Sequence, residues 1–272
     1  MSNRLTTAKA KRRQQRNQAL LRIGVIVALV AVVGVFYFRA VIAHPQLDPV
    51  TLCPARVQGV TVLLVDVTDS MNIPQRQDFV NQIEALTGKI PRYGKLVVTK
   101  VDPVSNQLLK PIITRCNPGS GSDVSAGDDN PQLVEQVRQE KFLAPLRQAF
   151  NAVLGASGAD RSPILESVQS VALTELQRPE LATASKRLVI ASDLLQNTTR
   201  IRFYTRLPDA AQFIASQEFS RVRTDLRGVS VELWMLQRND SRMTQPLALP
   251  ELWKRIIEEQ GGTLQRVYVV SG

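Results

Sequence analysis

The sequence predicts an α/β fold: a mainly parallel sheet with helices on both faces, preceded by one membrane-crossing helix. Three observations predict it. Ile23 to Phe38 is an uninterrupted apolar segment. Val60 to Val65 and Leu188 to Ala191 are β-branched or aliphatic runs without polar alternation, as strands covered on both faces require. From residue 58 onward, strand-like runs alternate with stretches of helical period, the pattern of parallel-sheet domains.

Composition sets the outer bounds. At 272 residues the chain can bury one large core. Its net charge of +10 is concentrated at one end, because residues 1–39 hold eight basic residues and no acidic one. The remainder, with 26 basic against 24 acidic side chains, is nearly neutral, so no nucleic-acid partner is expected. With Arg22 and Arg39 reaching back to the interface, residues 20–43 meet the roughly 20-residue length of a bilayer span. A cleaved signal peptide competes, with Val41-Ile42-Ala43 as its small-residue cleavage site. The long basic lead, the length of the apolar run and the Phe36-Tyr37-Phe38-Arg39 belt favour an uncleaved, single-pass anchor. Residues 1–19 are then a basic cytoplasmic tail and the C-terminal domain lies outside the plasma (inner) membrane, in the periplasm for a Gram-negative source. Residues 44–57, with Pro45, Pro49 and Pro54, read as a linker, and 58–272 as the domain. Cys53 and Cys116 are either a disulfide, which that compartment permits, or two buried thiols.

Taken in order, the first strand ends at Val65, and Asn72-Ile73-Pro74 starts a helix whose apolar face is Phe79, Val80, Ile83 and Leu86, with Gly88 as its stop. Lys95 to Val101 and Pro111 to Thr114 read as an edge hairpin. Asn117 to Pro131 is loop by composition, and its Asp123, Asp128 and Asp129 lack the spacing of a calcium loop and read as a solvated face. Gln132 to Leu154 is helical, broken or kinked at Pro145. Residues 155–166 are a glycine-containing loop without the Lys-Ser or Lys-Thr of a phosphate cradle. Ser162-Pro163-Ile164 opens the next helix, with Ser162 as a natural cap. Arg187 to Asp193 is a buried strand ending in polar residues; Asp209 to Leu226 is a helix, Val229 to Leu236 a strand, Leu249 to Glu259 a helix stopped by Gly261-Gly262, and Thr263 to Val270 the last strand.

The stretch that carries chemistry is Val60 to Met71. Asp66, Thr68 and Ser70 follow the apolar run at every second position, so three oxygens can converge at the carboxyl end of a strand, where open α/β sheets place their ligands. Hard oxygens without His or Cys suit Mg²⁺. This Asp-x-Thr-x-Ser resembles the metal-ion-dependent adhesion site (MIDAS) of the von Willebrand factor A (vWA) family, which opens with Asp-x-Ser-x-Ser. The resemblance implies a Rossmann-like sheet, a further hydroxyl ligand from a Thr-Pro-Leu-like segment, matched by Ser162-Pro163-Ile164, and an aspartate after a later strand, matched by Asp193 beside Ser192. It further implies that Asp66, Thr68, Ser70, Ser162 and Asp193 hold Mg²⁺ or Mn²⁺, and that an acidic side chain of a partner protein completes the metal's shell. Two positions depart from the family: Asp69 and Leu194 stand where it usually has Gly.

Other function classes are less well served. The only histidine, His44, lies in the linker, which removes His-dependent catalysis and leaves the cysteines without an activating partner. An Asp after the first strand also resembles the haloacid-dehalogenase-like phosphoryl transferases, but that resemblance implies a second Asp where Thr68 stands. The expectation is therefore a non-enzymatic binding module of an envelope complex, with a metal-free scaffold of the same fold as the alternative.

Overall fold

The computed structural model describes residues 3–38, 45–68, 71–103, 108–124, 129–155, 159–204, 206–238 and 245–270, with side chains from Gln15 onward. Ser70 and Asp69, the linker's His44, Asp128 and residues 39–43 of the expected span lie outside these. The chain divides into two compact units, Met1–Gln46 and Leu47–Gly272.

The first unit carries one helix, α1 (Asn3–Tyr37), which runs through much of the basic tail as well as the apolar segment. Its stretch Gln15–Tyr37 is long and apolar enough to cross a membrane, and its side chains are exposed along that length. An unpartnered apolar surface of this length is unfavourable in water and favourable in hydrocarbon.

The second unit is a six-stranded sheet in the order β3-β2-β1-β4-β5-β6. Its strands are β1 (Gly59–Val65), β2 (Lys95–Lys100), β3 (Ile113–Cys116), β4 (Ser185–Ser192), β5 (Val229–Leu236) and β6 (Thr263–Val270). All pair in parallel except β3, an antiparallel edge strand beginning two residues later than the sequence suggests. Every residue of β1 is buried. Val60, Val62 and Leu64 pack into one core layer with the helices α5 (Ile164–Val171), α6 (Ala210–Ile214), α7 (Gln217–Val222) and α8 (Leu249–Glu259). Leu63 and Val65 pack into the opposite layer with α2 (Ile73–Gly88) and the helical run α3 (Pro131–Val137) to α4 (Ala144–Leu154). Two-sided cover explains why the strand is apolar without alternation. Trp234 of β5 anchors this second layer, edge-on to Phe79 at 6.0 Å between ring centres.

Local chemistry sets the helix boundaries. Asn72 and Gln75 form a reciprocal capping box at the start of α2. Gly261, at φ +82°, reverses the chain after α8. Between α3 and α4 a wide π-type turn, Arg138–Leu143, comes just ahead of Pro145, whose ring cannot sit under an ordinary turn, so the helix widens instead of breaking. The single helix expected over Asp209 to Leu226 is two, because Ser216 turns its hydroxyl to the Phe219 amide and caps a second helix there. Asp129 is no solvated face: it pairs with Arg92 at 3.1 Å.

Residues 47–57 fold with the domain instead of merely leading to it. The Asp48 carboxylate caps the amides of Val50 and Thr51, Leu52 is buried, and Cys53 is disulfide-bonded to Cys116 at the end of β3. The bond closes an interval of 63 residues containing β1 and β2. Replacing both cysteines by serine should lower unfolding free energy by about 4 kcal/mol on the loop-closure account. Urea denaturation with and without reductant measures this, and an unchanged midpoint on reduction would contradict it.

Candidate functional site

The sheet reverses its winding direction between β1 and β4: the chain builds outward from β1 through β2 and β3, then returns to lay β4 on the other side of β1. The carboxyl ends of these two strands form the crevice in which open α/β sheets bind ligands. Val65 lies beside Ala191, and the Asp66 amide continues the ladder to the Ala191 carbonyl at 2.8 Å. Asp66 and Ser192-Asp193 therefore emerge side by side from the sheet.

Both carboxylates are buried, Asp66 4% and Asp193 5% exposed. Asp66 Oδ1 accepts the Thr68 amide at 3.1 Å, folding the first loop back on itself. Its Oδ2 accepts two hydroxyls, from Ser162 at 2.6 Å and Ser192 at 2.9 Å. Ser162 is held there because its backbone pairs in both directions with Asn197. The capping role open to Ser162 in the sequence goes elsewhere: the α5 amide of Leu165 donates to Gln196 Oε1 at 2.9 Å. Its hydroxyl is thereby freed for the carboxylate.

Asp193 is held differently. Its Oδ1 accepts the Leu195 amide at 2.9 Å, and its Oδ2 accepts Arg238 Nε at 2.5 Å and the Tyr204 hydroxyl at 3.4 Å. The Arg238 guanidinium also donates to that hydroxyl and lies over the Tyr204 ring, 4.8 Å from its centre. Gln245 completes the frame, donating to the carbonyls of Asp193 and Leu236 and accepting the Arg238 amide. Arg238, Tyr204 and Gln245 were not singled out from sequence. The one available signal was a cation two residues past the end of β5, on the same edge of the sheet as Asp66 and Asp193.

Leu194 adopts φ +62°, a conformation glycine takes freely and a leucine only at a cost of order 1–2 kcal/mol. Its fully buried side chain and the Trp253 indole donating to its carbonyl at 2.8 Å offset that cost. The loop thus has the positive φ that a glycine would supply, without the glycine.

Of the five expected ligands, the structure gathers Asp66, Thr68, Ser162 and Asp193 in one crevice with Ser192. Among the described residues no three His, Cys, Asp or Glu side chains cluster as metal ligands. A centre here would have to be two carboxylates completed by hydroxyls and water. Oxygen-only chemistry of that kind fits a hard divalent ion, with Asp66, Thr68, Ser162 and Asp193 as the groups that would hold it.

Among known proteins, the domain family described as Gp56, inhibitor of host cell division protein domain, matches residues 2–51, less than a fifth of the chain. No curated protein matches. Matching solved structures include the conserved hypothetical protein BatB from Bacteroides thetaiotaomicron, at 8% identity and TM-score 0.36, covering 78% of this chain and 91% of that one. Another is an aerotolerance-related membrane protein from Bacteroides fragilis NCTC 9343 with multiple mutations to serines, at 9% identity and TM-score 0.33, covering 79% and 92%.

Burial, and next the charge of Asp66, push the Asp193 carboxyl up to about 6 against the pull of Arg238. The folded state then holds this proton more tightly than the unfolded chain, whose value is 3.8. Asp193 accordingly favours folding below that value, and its contribution, at most about 3 kcal/mol, disappears as pH rises through about 6. Asp193→Asn should flatten the fall in stability between these pH values. Urea midpoints of both proteins across the window test it, and parallel pH profiles would contradict the assignment.

Proposed function

We propose that the chain is a membrane-anchored, vWA-like protein-binding module. It uses Mg²⁺ or Mn²⁺ held at Asp66, Thr68, Ser70, Ser162 and Asp193 to engage an acidic residue of a partner protein in an envelope complex. The observation that carries this reading is the meeting of two buried carboxylates and the Ser162 hydroxyl at the winding reversal, from three loops far apart in sequence. Such a site costs folding free energy in return for a concentrated negative potential, an arrangement that makes sense where a cation is to be bound. A metal with one open position would select a carboxylate placed at the correct distance and angle, giving specificity as well as affinity. The helix Gln15–Tyr37 would hold the module at the membrane, its amino end in the cytoplasm and the domain outside.

The ion pair between Arg238 and Asp193 favours a second reading, in which the domain keeps the fold but not the metal and serves as a scaffold subunit. The two readings diverge on calorimetry of the full chain in detergent micelles. The first expects one Mg²⁺ or Mn²⁺ per chain, with binding weakened at least a hundredfold by Asp66→Ala and by Asp193→Ala while the fold is retained. Absence of binding in the folded protein, and in variants that free Asp193, would leave the scaffold.

A further inference from the structure

We propose that Arg238 is a tethered counter-cation of this site: it occupies Asp193 when no divalent ion is bound, and the ion must displace it. The inference rests on the metal-binding reading and adds to it a built-in competitor.

The two carboxylates are compensated unequally. Among the described residues, Asp66 meets only neutral donors: the Thr68 amide and the Ser162 and Ser192 hydroxyls. A hydroxyl that donates to Asp66 keeps its lone pairs, so these contacts leave oxygens able to face a cation. Asp193 instead has a full positive charge against Oδ2 at 2.5 Å, while Oδ1 is taken by the Leu195 amide of its own turn. A divalent ion reaching Asp193 cannot move the backbone amide without unfolding the turn. The guanidinium, on a flexible stem with its side chain 14% exposed, is the group that can leave. A dication on Asp193 would lie within a few ångströms of the guanidinium in a buried crevice, where like charges repel strongly, so the guanidinium gives way.

The surroundings are built to receive that side chain. Tyr204 offers its ring face and accepts a guanidinium hydrogen bond, and Gln245 pins the Arg238 backbone to the carbonyls of Asp193 and Leu236. Among the described residues, Asp193, Tyr204 and Gln245 from three segments define the position. An arginine whose only task was to lie on the surface would need none of them.

The test compares Mn²⁺ and Mg²⁺ affinity of the full chain in detergent with that of Arg238→Gln. The variant is expected to bind at least tenfold more tightly, or to bind where the parent does not. Equal or weaker binding by a folded variant, beside a parent that binds, would overturn the proposal and leave the metal reading standing. No binding by either would overturn both. Should Arg238→Gln fail to fold, Arg238→Lys, which keeps the charge but loses the planar contact, and Tyr204→Phe, which loses the hydroxyl, take its place. Each is expected to bind Mn²⁺ more tightly than the parent, and parity would overturn the competition. A direct readout is the Arg238 Nε–H signal in ¹H–¹⁵N spectra, assigned by its loss in the variant. It should shift and lose protection on saturation with Mg²⁺, and its persistence unchanged in a loaded protein would equally overturn displacement.

Discussion

Burying two carboxylates at the ends of adjacent parallel strands creates an electrostatic problem that the surrounding loops are shaped to contain. Both Asp66 and Asp193 are buried, and the Asp66 charge adds to the desolvation that raises the Asp193 carboxyl. The first loop bends its Thr68 amide toward Asp66, the loop before α5 delivers Ser162, and β4 ends in Ser192. The loop after β4 holds a leucine at positive φ so that the Leu195 amide can face Asp193. The segment after β5 contributes Arg238. Remove the two charges and these conformations lose their common reason.

The sheet beneath makes such a site affordable. Its central strands are covered on both faces by two core layers, one under α2 and α4, the other under α5 and α8, so the ends of β1 and β4 are held in register by the parallel ladder and the apolar packing around it. The polar groups at the crevice contribute little to that framework. Mutations among them can therefore alter the crevice without dissolving the domain that presents it.

Much of this was legible in the amino-acid order, for identifiable reasons. A strand buried on both faces leaves a continuous apolar run, and β1 and the second half of β4 were readable on that basis, as was α8 from its periodic face and the glycine at its end. Asp66 was findable because a carboxylate directly after such a run sits at the carboxyl edge of the sheet, and Asp193 because the vWA resemblance implies an aspartate after a later strand. What escaped were contacts that no local period encodes. Ser162 carries the local signature of a helix cap, and only the fold shows that Gln196, thirty-one residues beyond Leu165, takes that duty instead. Tyr204, Arg238 and Gln245 lie on segments with no apolar rhythm, and their meeting at Asp193 depends on the sheet order. The division of residues 210–222 into two helices turned on one serine hydroxyl choosing a nearby amide.

The bond between Cys53 and Cys116 also settles how the domain would bear a pull. Tension arriving along the chain from its amino end reaches Cys53 before it reaches β1, and from there a covalent path leads to the rim strand β3. Traction is thereby diverted in part to the margin of the sheet. The central strand that carries Asp66 then shares a pull with the rim strand instead of taking it alone.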